Sequence, residues 1–372
     1  MNLTSSYLKK LISDKAKELG FVQVGFSKVE ILDKESSYLR EWLDNGYTAD
    51  MNWIEKGFEK RKDIRLIMED AKSVISLAYN YYTPIEHDEN LPKISRYAWG
   101  KDYHKILKKK LKELCEHICH CEERSDDTTS PLLERGAGGF ENKSEIASHS
   151  LAMKYYVDDG PVMDKVWAVK AGIGAMGKHT NVINNKYGSW IFLCNIITNI
   201  QFDSYDSPIE DLCGSCTLCI SACPTGAIID EYKVDANKCI SYQTIENHGE
   251  IPDSINLDGW IFGCDVCQDV CPYNSPKYNQ PTDDLNFYPK EELFQNDKAT
   301  PAPLLGKEGT LNHLPLNKGE CPEGEGVFSM TFKTKEELNS ITEEEFNLIF
   351  ADSPVKRTKF KGWKRNLKKL ES

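Results

Sequence analysis

The stretch CGSCTLCISACPTGAI (residues 213–228), read together with IFGCDVCQDVCPYN (residues 261–274), decides how the centre of this chain must fold. Cys213, Cys216 and Cys219 recur at every third position, Cys223 follows, and Pro224 comes directly after it. Three thiolates so close on one tight loop can each reach a different iron of one cubane, while the fourth, followed by proline, is directed to a second cluster. The second stretch repeats the last three positions as Cys264, Cys267 and Cys271 with Pro272, and Cys239 stands where the missing first ligand belongs, displaced by a long insertion. Crossed ligation then assigns Cys213, Cys216, Cys219 and Cys271 to one [4Fe–4S] cluster, and Cys223, Cys239, Cys264 and Cys267 to the other. Structural zinc favours pairs of C-x2-C separated by a loop, without a Cys-Pro closing each half. Two neighbouring clusters pass single electrons, so this is a wire in a bacterial-ferredoxin-like domain, expected over residues 206–285.

Outward from the wire, composition narrows what it serves. The chain has 372 residues, 40% hydrophobic and 28% charged, enough for one large domain and a smaller one. Residues 1–21 carry Tyr7, Leu8, Leu11, Ile12 and Leu19 at helical spacing among lysines and acids, the pattern of an amphipathic helix and not of a signal peptide. No apolar stretch is long enough to span a bilayer. Thirteen cysteines without an export signal argue for metal ligation in a reducing compartment, so a cytoplasmic location is expected. The formal charge of −12 disfavours a polyanionic partner, but its distribution is uneven. Residues 355–370 (VKRTKFKGWKRNLKKL) hold eight basic side chains and no acid, and a second basic run lies at Lys105, Lys108, Lys109, Lys110 and Lys112. Either run reads equally as a solvated helix face.

Three blocks follow. Residues 1–205 alternate helical patterns with β-rich runs such as SVISLAYNYY (73–82) and WIFLCNIIT (190–198), which suggests an α/β domain. The cluster block comes next. Residues 286–372 are mostly helical, with a capping-box signature at Thr342 and Glu345 and a basic helix expected over 353–370. Residues 125–150 and 299–327, crowded with Gly, Pro, Ser and Thr, are expected to be disordered insertions without a chemical role. Cys115, Cys119 and Cys121 with His117 and His120 read as an incidental grouping at a helix end, and Cys321 as an idle thiol.

A wire needs an acceptor, and the first block should hold it. No G-x-G-x-x-G follows a strand, so a nicotinamide site is not signalled; Gly172, Gly174 and Gly177 follow a helical run instead. Asp102-Tyr103-His104 lacks the glycine of the D-x-H-x-x-G signature by which some proteins offer histidine to cobalt.

The segments RYAWGKDYHKILKKKL (96–111), VDDGPVMDKVWAVKAGIGAMGKHTNVIN (157–184), YGSWIFLCNIIT (187–198) and CISYQTIE (239–246), with the two cluster motifs and the tail SPVKRTKFKGWKRNL (353–367), resemble the epoxyqueuosine reductase family. The resemblance covers most of the chain outside the two insertions. It implies an oxidoreductase: a cobalamin-binding first domain, fed by the two clusters, performing the two-electron reduction of the epoxide on epoxyqueuosine at the wobble position of tRNA, with loss of water, to give queuosine. Asp158 matches the family's proton donor, and Asp159 beside it is a second carboxylate where the family has a small residue or Thr. Arg61, Arg96, Tyr97, Lys178, His179, Ser189, Ser241 and Gln243, with Asp158, match positions expected to line the corrin pocket. Lys356, Arg357, Lys364, Arg365 and Lys368 are expected to meet tRNA. An external one-electron donor such as a ferredoxin or flavodoxin, no membrane and a monomer complete the expectation. Two readings compete. A cobalamin-dependent reductive dehalogenase shares the domain plan but usually brings an export signal and needs no basic tail; a plain electron-transfer protein would have no substrate of its own.

Overall fold

Ser73–Asn80 and Ile191–Thr198 are the two longest strands, and they pair antiparallel along their whole length in the middle of a five-stranded sheet. All eight residues of Ser73–Asn80 are buried, as a strand covered on both faces requires. Gln23–Lys28 flanks it on one side; Ala152–Tyr156 and then Glu145–Ala147 extend the other. The structure, a computed structural model, describes residues 4–123, 145–147, 151–275, 277–293 and 333–370.

Every pairing in this sheet is antiparallel, which corrects the α/β reading to a helix-covered antiparallel sheet. Helix and strand alternate in the sequence, but each long connection sends the chain back along its neighbour instead of making a parallel crossover. Glu145–Ala147 corrects the expectation of disorder over 125–150, because it forms the edge strand against Ala152–Tyr156. The remainder of that expectation, Cys121, the stretch 299–327 and Cys321 lie outside the residues whose side chains are described.

Alternation along the strands divides the core. Ile75, Leu77, Tyr79, Phe192, Ile196 and Met153 pack on the helices Ser5–Glu18 and Tyr103–Glu123 through Leu8, Ile12, Leu107, Leu111 and Leu114. Thr4 caps the first helix, whose Leu8 and Ile12 turn inward as their spacing predicts, while Tyr7 is exposed. The opposite face, with Val74 and Ile197, receives Trp167 of the helix Asp164–Lys170. On that face Ser76 Oγ donates to Asn195 Oδ1 (2.6 Å), and Asn195 Nδ2 donates to Asp164 Oδ1 (2.7 Å).

A second core joins all three blocks of the sequence. Ile85, Ile94 and Trp99 pack with Ile261 and Phe262 of the cluster block and with Phe346, Phe350, Trp363 and Leu367 of the C-terminal block. Trp260–Phe262 also pairs parallel with Lys93–Ile94. Gly263 makes the close approach possible: its φ is +71°, and a Cβ there would fall 2.4 Å from Ser95 Cβ. Asp265 then accepts from Ser95 Oγ (2.5 Å) and Arg96 N (2.6 Å). The C-terminal block is therefore a wall of the cluster domain. Its helices Lys335–Ser340 and Glu343–Ile349 both start with capping boxes, including the one read at Thr342 and Glu345. The expected basic helix starts later than position 353, since Pro354–Thr358 is a 3-10 turn and the α-helix runs Lys359–Lys369.

Trp363 is fully buried against Phe346 and Phe350, with ring centroids 5.8 and 5.1 Å away. Trp363→Ala is expected to cost about 3–5 kcal/mol of stability by leaving a cavity in this shared core. Denaturant titration of the cluster-loaded protein checks this; a loss below ~1 kcal/mol would mean the C-terminal wall contributes little to the fold.

Candidate active site

The eight cysteines of the wire fall into two groups. Cys213, Cys216 and Cys219 are the thiols whose charges act on Cys271, which burial and these neighbours push above the usual thiol range. Cys267, raised by burial, is acted on first by Cys239 and also by Cys223 and Cys219, and Cys264 by Cys267 and Cys239, so the two sets of thiols adjoin. Backbone N–H groups converge on the sulfurs: Lys178 N on Cys213 Sγ (3.5 Å), Ala227 N on Cys223 Sγ (3.2 Å), Tyr242 and Ser241 on Cys239, Val266 on Cys264 and Tyr273 on Cys271. Such donors favour the thiolate form that iron requires and disperse cluster charge. Among the described residues no three His, Cys, Asp or Glu side chains gather tightly enough for a single metal ion. The short C-x2-C spacings and proline-ended loops instead suit cubanes with an iron at each corner.

A cavity of about 1210 Å³ lies between the sheet domain and the wire. Cys223, Cys239, Cys264 and Cys267 all line it, whereas Cys213, Cys216, Cys219 and Cys271 do not. The four that line it would hold the inner cluster, and the other four the outer one. The other walls mix apolar Met51, Trp53, Val182, Ile191 and Ile240 with Tyr97, Asp158, Asp164, Lys165, His179, Ser189 and Ser241. Such a lining suits a broad, largely apolar macrocycle with polar side chains at its edge. His179 gives the clearest sign of an absent partner. Its Nδ1 accepts from Asn181 N (3.1 Å), so Nε2 carries the hydrogen, and that buried Nε2 has no protein partner. Burial lowers the His179 pKa to about 4, keeping the ring neutral.

Asp158 faces this cavity from the turn after Ala152–Tyr156, with φ at +54°, a left-handed conformation that Asp tolerates better than most residues. Tyr103 Oη donates to its Oδ2 (2.9 Å). The phenol stays protonated because burial, then the charge of Asp158, raises its pKa well above the ordinary value. Asp159 is employed elsewhere: it pairs with Lys108 Nζ, and its Oδ1 accepts from Val157 N (3.0 Å). Of the two adjacent carboxylates, Asp158 alone lines the cavity.

Of the residues expected at the corrin, Tyr97, Asp158, His179, Ser189 and Ser241 line the cavity, and four do not. Arg96 is buried beside Trp99 and donates to Thr83 O (2.6 Å) and Ile85 O (2.7 Å), so its expected cofactor role is corrected to holding the second core together. Lys178 Nζ is held by Gly214 O and Glu231 Oε1, both at 2.7 Å, beside the outer cluster. Gln243 Nε2 donates to Asn237 O (2.6 Å), and Arg61 Nη1 reaches Ile54 O (3.4 Å). Tyr103, Asp164, Lys165 and Gln268 also line the cavity, and no pattern in the sequence singles them out. Tyr103 lies inside the 96–111 segment and Asp164 and Lys165 inside 157–184, so the available signal is location within matching segments.

The tail divides similarly. Lys356 and Arg357 line the cavity, Arg357 donating to Glu246 Oε2 (2.9 Å). Lys364 Nζ is bonded to Asn339, and Lys368 is exposed on the helix Lys359–Lys369. Arg365 is not available to phosphate: its guanidinium is spent on the carbonyl oxygens of Asn247 (2.5 Å), Gly249 (2.7 Å) and Gln243 (2.7 Å). It fastens the last helix onto the cluster domain.

With this geometry in place, likeness to known proteins becomes informative. A family model described as a 4Fe-4S double cluster binding domain matches residues 212–274, and one described as epoxyqueuosine reductase QueG, DUF1730, matches residues 61–159. An epoxyqueuosine reductase from Cellulophaga algicola is 38% identical over 359 residues, covering 96% of each chain. The chain belongs to the epoxyqueuosine reductase family. The Synechocystis epoxyqueuosine reductase is 45% identical over 264 residues, 70% of this chain and 81% of its own. Among solved structures, a selenomethionine-labelled epoxyqueuosine reductase superposes with a TM-score of 0.75 at 26% identity, covering 99% of this chain and 82% of that one. An epoxyqueuosine reductase bound to an epoxyqueuosine-modified tRNA-Tyr stem loop superposes with a TM-score of 0.73 at 25% identity, covering 99% and 81%.

Proposed function

We propose that this chain reduces the epoxide of epoxyqueuosine in tRNA to the alkene of queuosine, with the cavity as the reaction chamber. The observation that carries the reading is a single space walled by all four inner-cluster cysteines and also by Asp158. Electron supply and proton supply thereby face the same volume. Tyr97, His179, Ser189 and Ser241 would hold cobalamin there, and the bound cofactor would supply the means of turning singly delivered electrons into a two-electron reduction.

The protein's own part is acid catalysis and positioning. Both C–O bonds of the epoxide break, a C=C bond forms, two electrons enter, and the oxygen leaves as water with two protons. Asp158 is an exposed carboxyl in the cavity wall, and the bond from Tyr103 to Oδ2 leaves Oδ1 to carry the proton. After transfer the same bond stabilises the carboxylate. A structure of the Bacillus subtilis epoxyqueuosine reductase, with its catalytic aspartate loop swung out of the active site, supports a loop-borne acid in this family.

The tRNA would approach the rim that carries exposed Lys356 and Arg357. Lys356→Glu is expected to weaken tRNA binding and to lower the slope of log affinity against log salt by about 1, since one phosphate contact is lost. An unchanged slope would place the nucleic acid elsewhere. A one-electron donor would serve the outer cluster of a cytoplasmic monomer; no helix among the described residues is long and apolar enough to cross a membrane. The deciding experiment is anaerobic incubation of the cluster- and cobalamin-loaded protein with tRNA from a strain lacking this activity. Conversion of epoxyqueuosine to queuosine is expected, and its absence overturns the reading.

A further inference from the structure

Two protons must reach one oxygen, yet Asp158 holds only one at a time. We propose that Asp164 is the proton store of this site, passing its proton across the cavity to recharge Asp158 between the two protonations. The inference rests on the epoxide-reducing function proposed above and adds a second carboxyl to it.

Asp164 opens the helix Asp164–Lys170 and lines the same cavity as Asp158. Its orientation is fixed from the sheet. Ser76 Oγ donates to Asn195 Oδ1, which commits the amide so that Nδ2 donates to Asp164 Oδ1. Oδ2 is thereby left to carry a proton. A carboxyl placed only to hold the fold would ordinarily be ionised and paired with a cation, but this one is half-buried and takes its hydrogen bond from a neutral amide. The groups acting electrostatically around it are Arg61, Asp158, Asp159, Lys165 and Cys194. Lys165 Nζ is committed to Thr180 O and Asn181 Oδ1, both at 2.9 Å. Burial, then the negative charge of Asp158, raises the Asp164 pKa to about 7. Near neutral pH it is therefore protonated in a substantial fraction of molecules. The coupling keeps the store filled: while Asp158 is ionised, its charge makes Asp164 hold its proton more tightly.

The inference is tested with Asp164→Asn, which keeps an oxygen for Asn195 Nδ2 and removes the titrating proton. In wild type the single-turnover rate of epoxyqueuosine reduction is expected to fall as pH rises through about 7, because the store empties. In Asp164→Asn, prereduced and with unchanged cluster and cobalamin absorption, the rate at pH 7 should fall roughly 10- to 100-fold, below the full effect of a general acid, and the alkaline fall should vanish. Asp164→Glu should restore both. An unchanged rate, or the same alkaline fall in Asp164→Asn, overturns the store while leaving the proposed function standing. Failure of wild type to reduce the tRNA removes that function itself. A second readout needs no turnover: infrared titration of cluster-loaded, cobalamin-free protein should show a protonated-carboxyl C=O band that disappears near pH 7 and is missing in Asp164→Asn. Absence of that band in wild type overturns the store even where the variant assembles poorly.

Discussion

Asp158→Asn is expected to lose about 10²- to 10⁴-fold in the single-turnover rate of epoxyqueuosine reduction, the range for removing a positioned general acid. The substitution is nearly isosteric. The new amide would keep an oxygen for the Tyr103 hydroxyl, which now donates to Asp158 Oδ2 at 2.9 Å, so the turn at φ +54° has no reason to collapse. The cysteines lie on other segments, so iron content and cluster absorption should be those of wild type. Cobalamin binding should persist, because His179, Tyr97 and Ser241 reach the cavity independently. Loss of the chemical step with cofactors retained is therefore the diagnostic combination. Asp159→Asn provides the contrast: Asp159 does not line the cavity, its carboxylate is taken by Lys108, and its loss should change the rate far less. A fully active Asp158→Asn would remove this residue from the mechanism; loss through Asp159→Asn alone would mean the loop presents the other carboxylate.

How much of the site is legible in the sequence depends on whether its chemistry is local along the chain. Cluster ligands obey a spacing rule because one loop has to wrap an inorganic cage of fixed size, and so a double-cluster domain can be read before any fold is known. The central strands are visible for a similar reason, since Ser73–Asn80 is buried throughout and its β-rich run is unbroken by turn residues. Direction is not visible: alternating helices and strands fit parallel and antiparallel sheets alike, and only the pairing separates them.

Charge misleads where burial decides. Arg96 and Arg365 look like ligand-binding cations, but Arg96 in the interior and the half-buried Arg365 are each bonded to main-chain oxygens. A guanidinium presents five donors, so it satisfies buried carbonyls as readily as phosphates, and sequence does not distinguish the two uses. Asp164 illustrates the converse. As the first residue of a helix it reads as an ordinary favourable charge near the positive end of the dipole. Its chemical interest comes from Ser76 and Asn195 on two strands and from Asp158 on a turn, groups that only the folded chain gathers around one carboxyl.

Cys271→Ala tests the wiring itself, and its expected effect is the loss of a whole cluster. By position Cys271 belongs with Cys264 and Cys267, whereas in the fold its thiol has Cys213, Cys219 and Cys216 as electrostatic neighbours. Iron in Cys271→Ala should fall from about eight to about four per chain, two cubanes becoming one. The double variants decide which cluster is lost. Cys216→Ala added to Cys271→Ala should cost no further iron, because both remove ligands from the outer cluster. Cys264→Ala added to Cys271→Ala should remove the remaining iron, because it strikes the inner one. The opposite pattern would mean uncrossed ligation. Crossed ligation, in which each cysteine run returns a ligand to the other, would account for Leu218–Ala222 lying beside Val266–Asp269. An external donor should then fail to drive turnover in Cys271→Ala, with the outer cluster gone. The inner cluster, still ligated by Cys223, Cys239, Cys264 and Cys267 in the cavity wall, should remain reducible by a small chemical reductant.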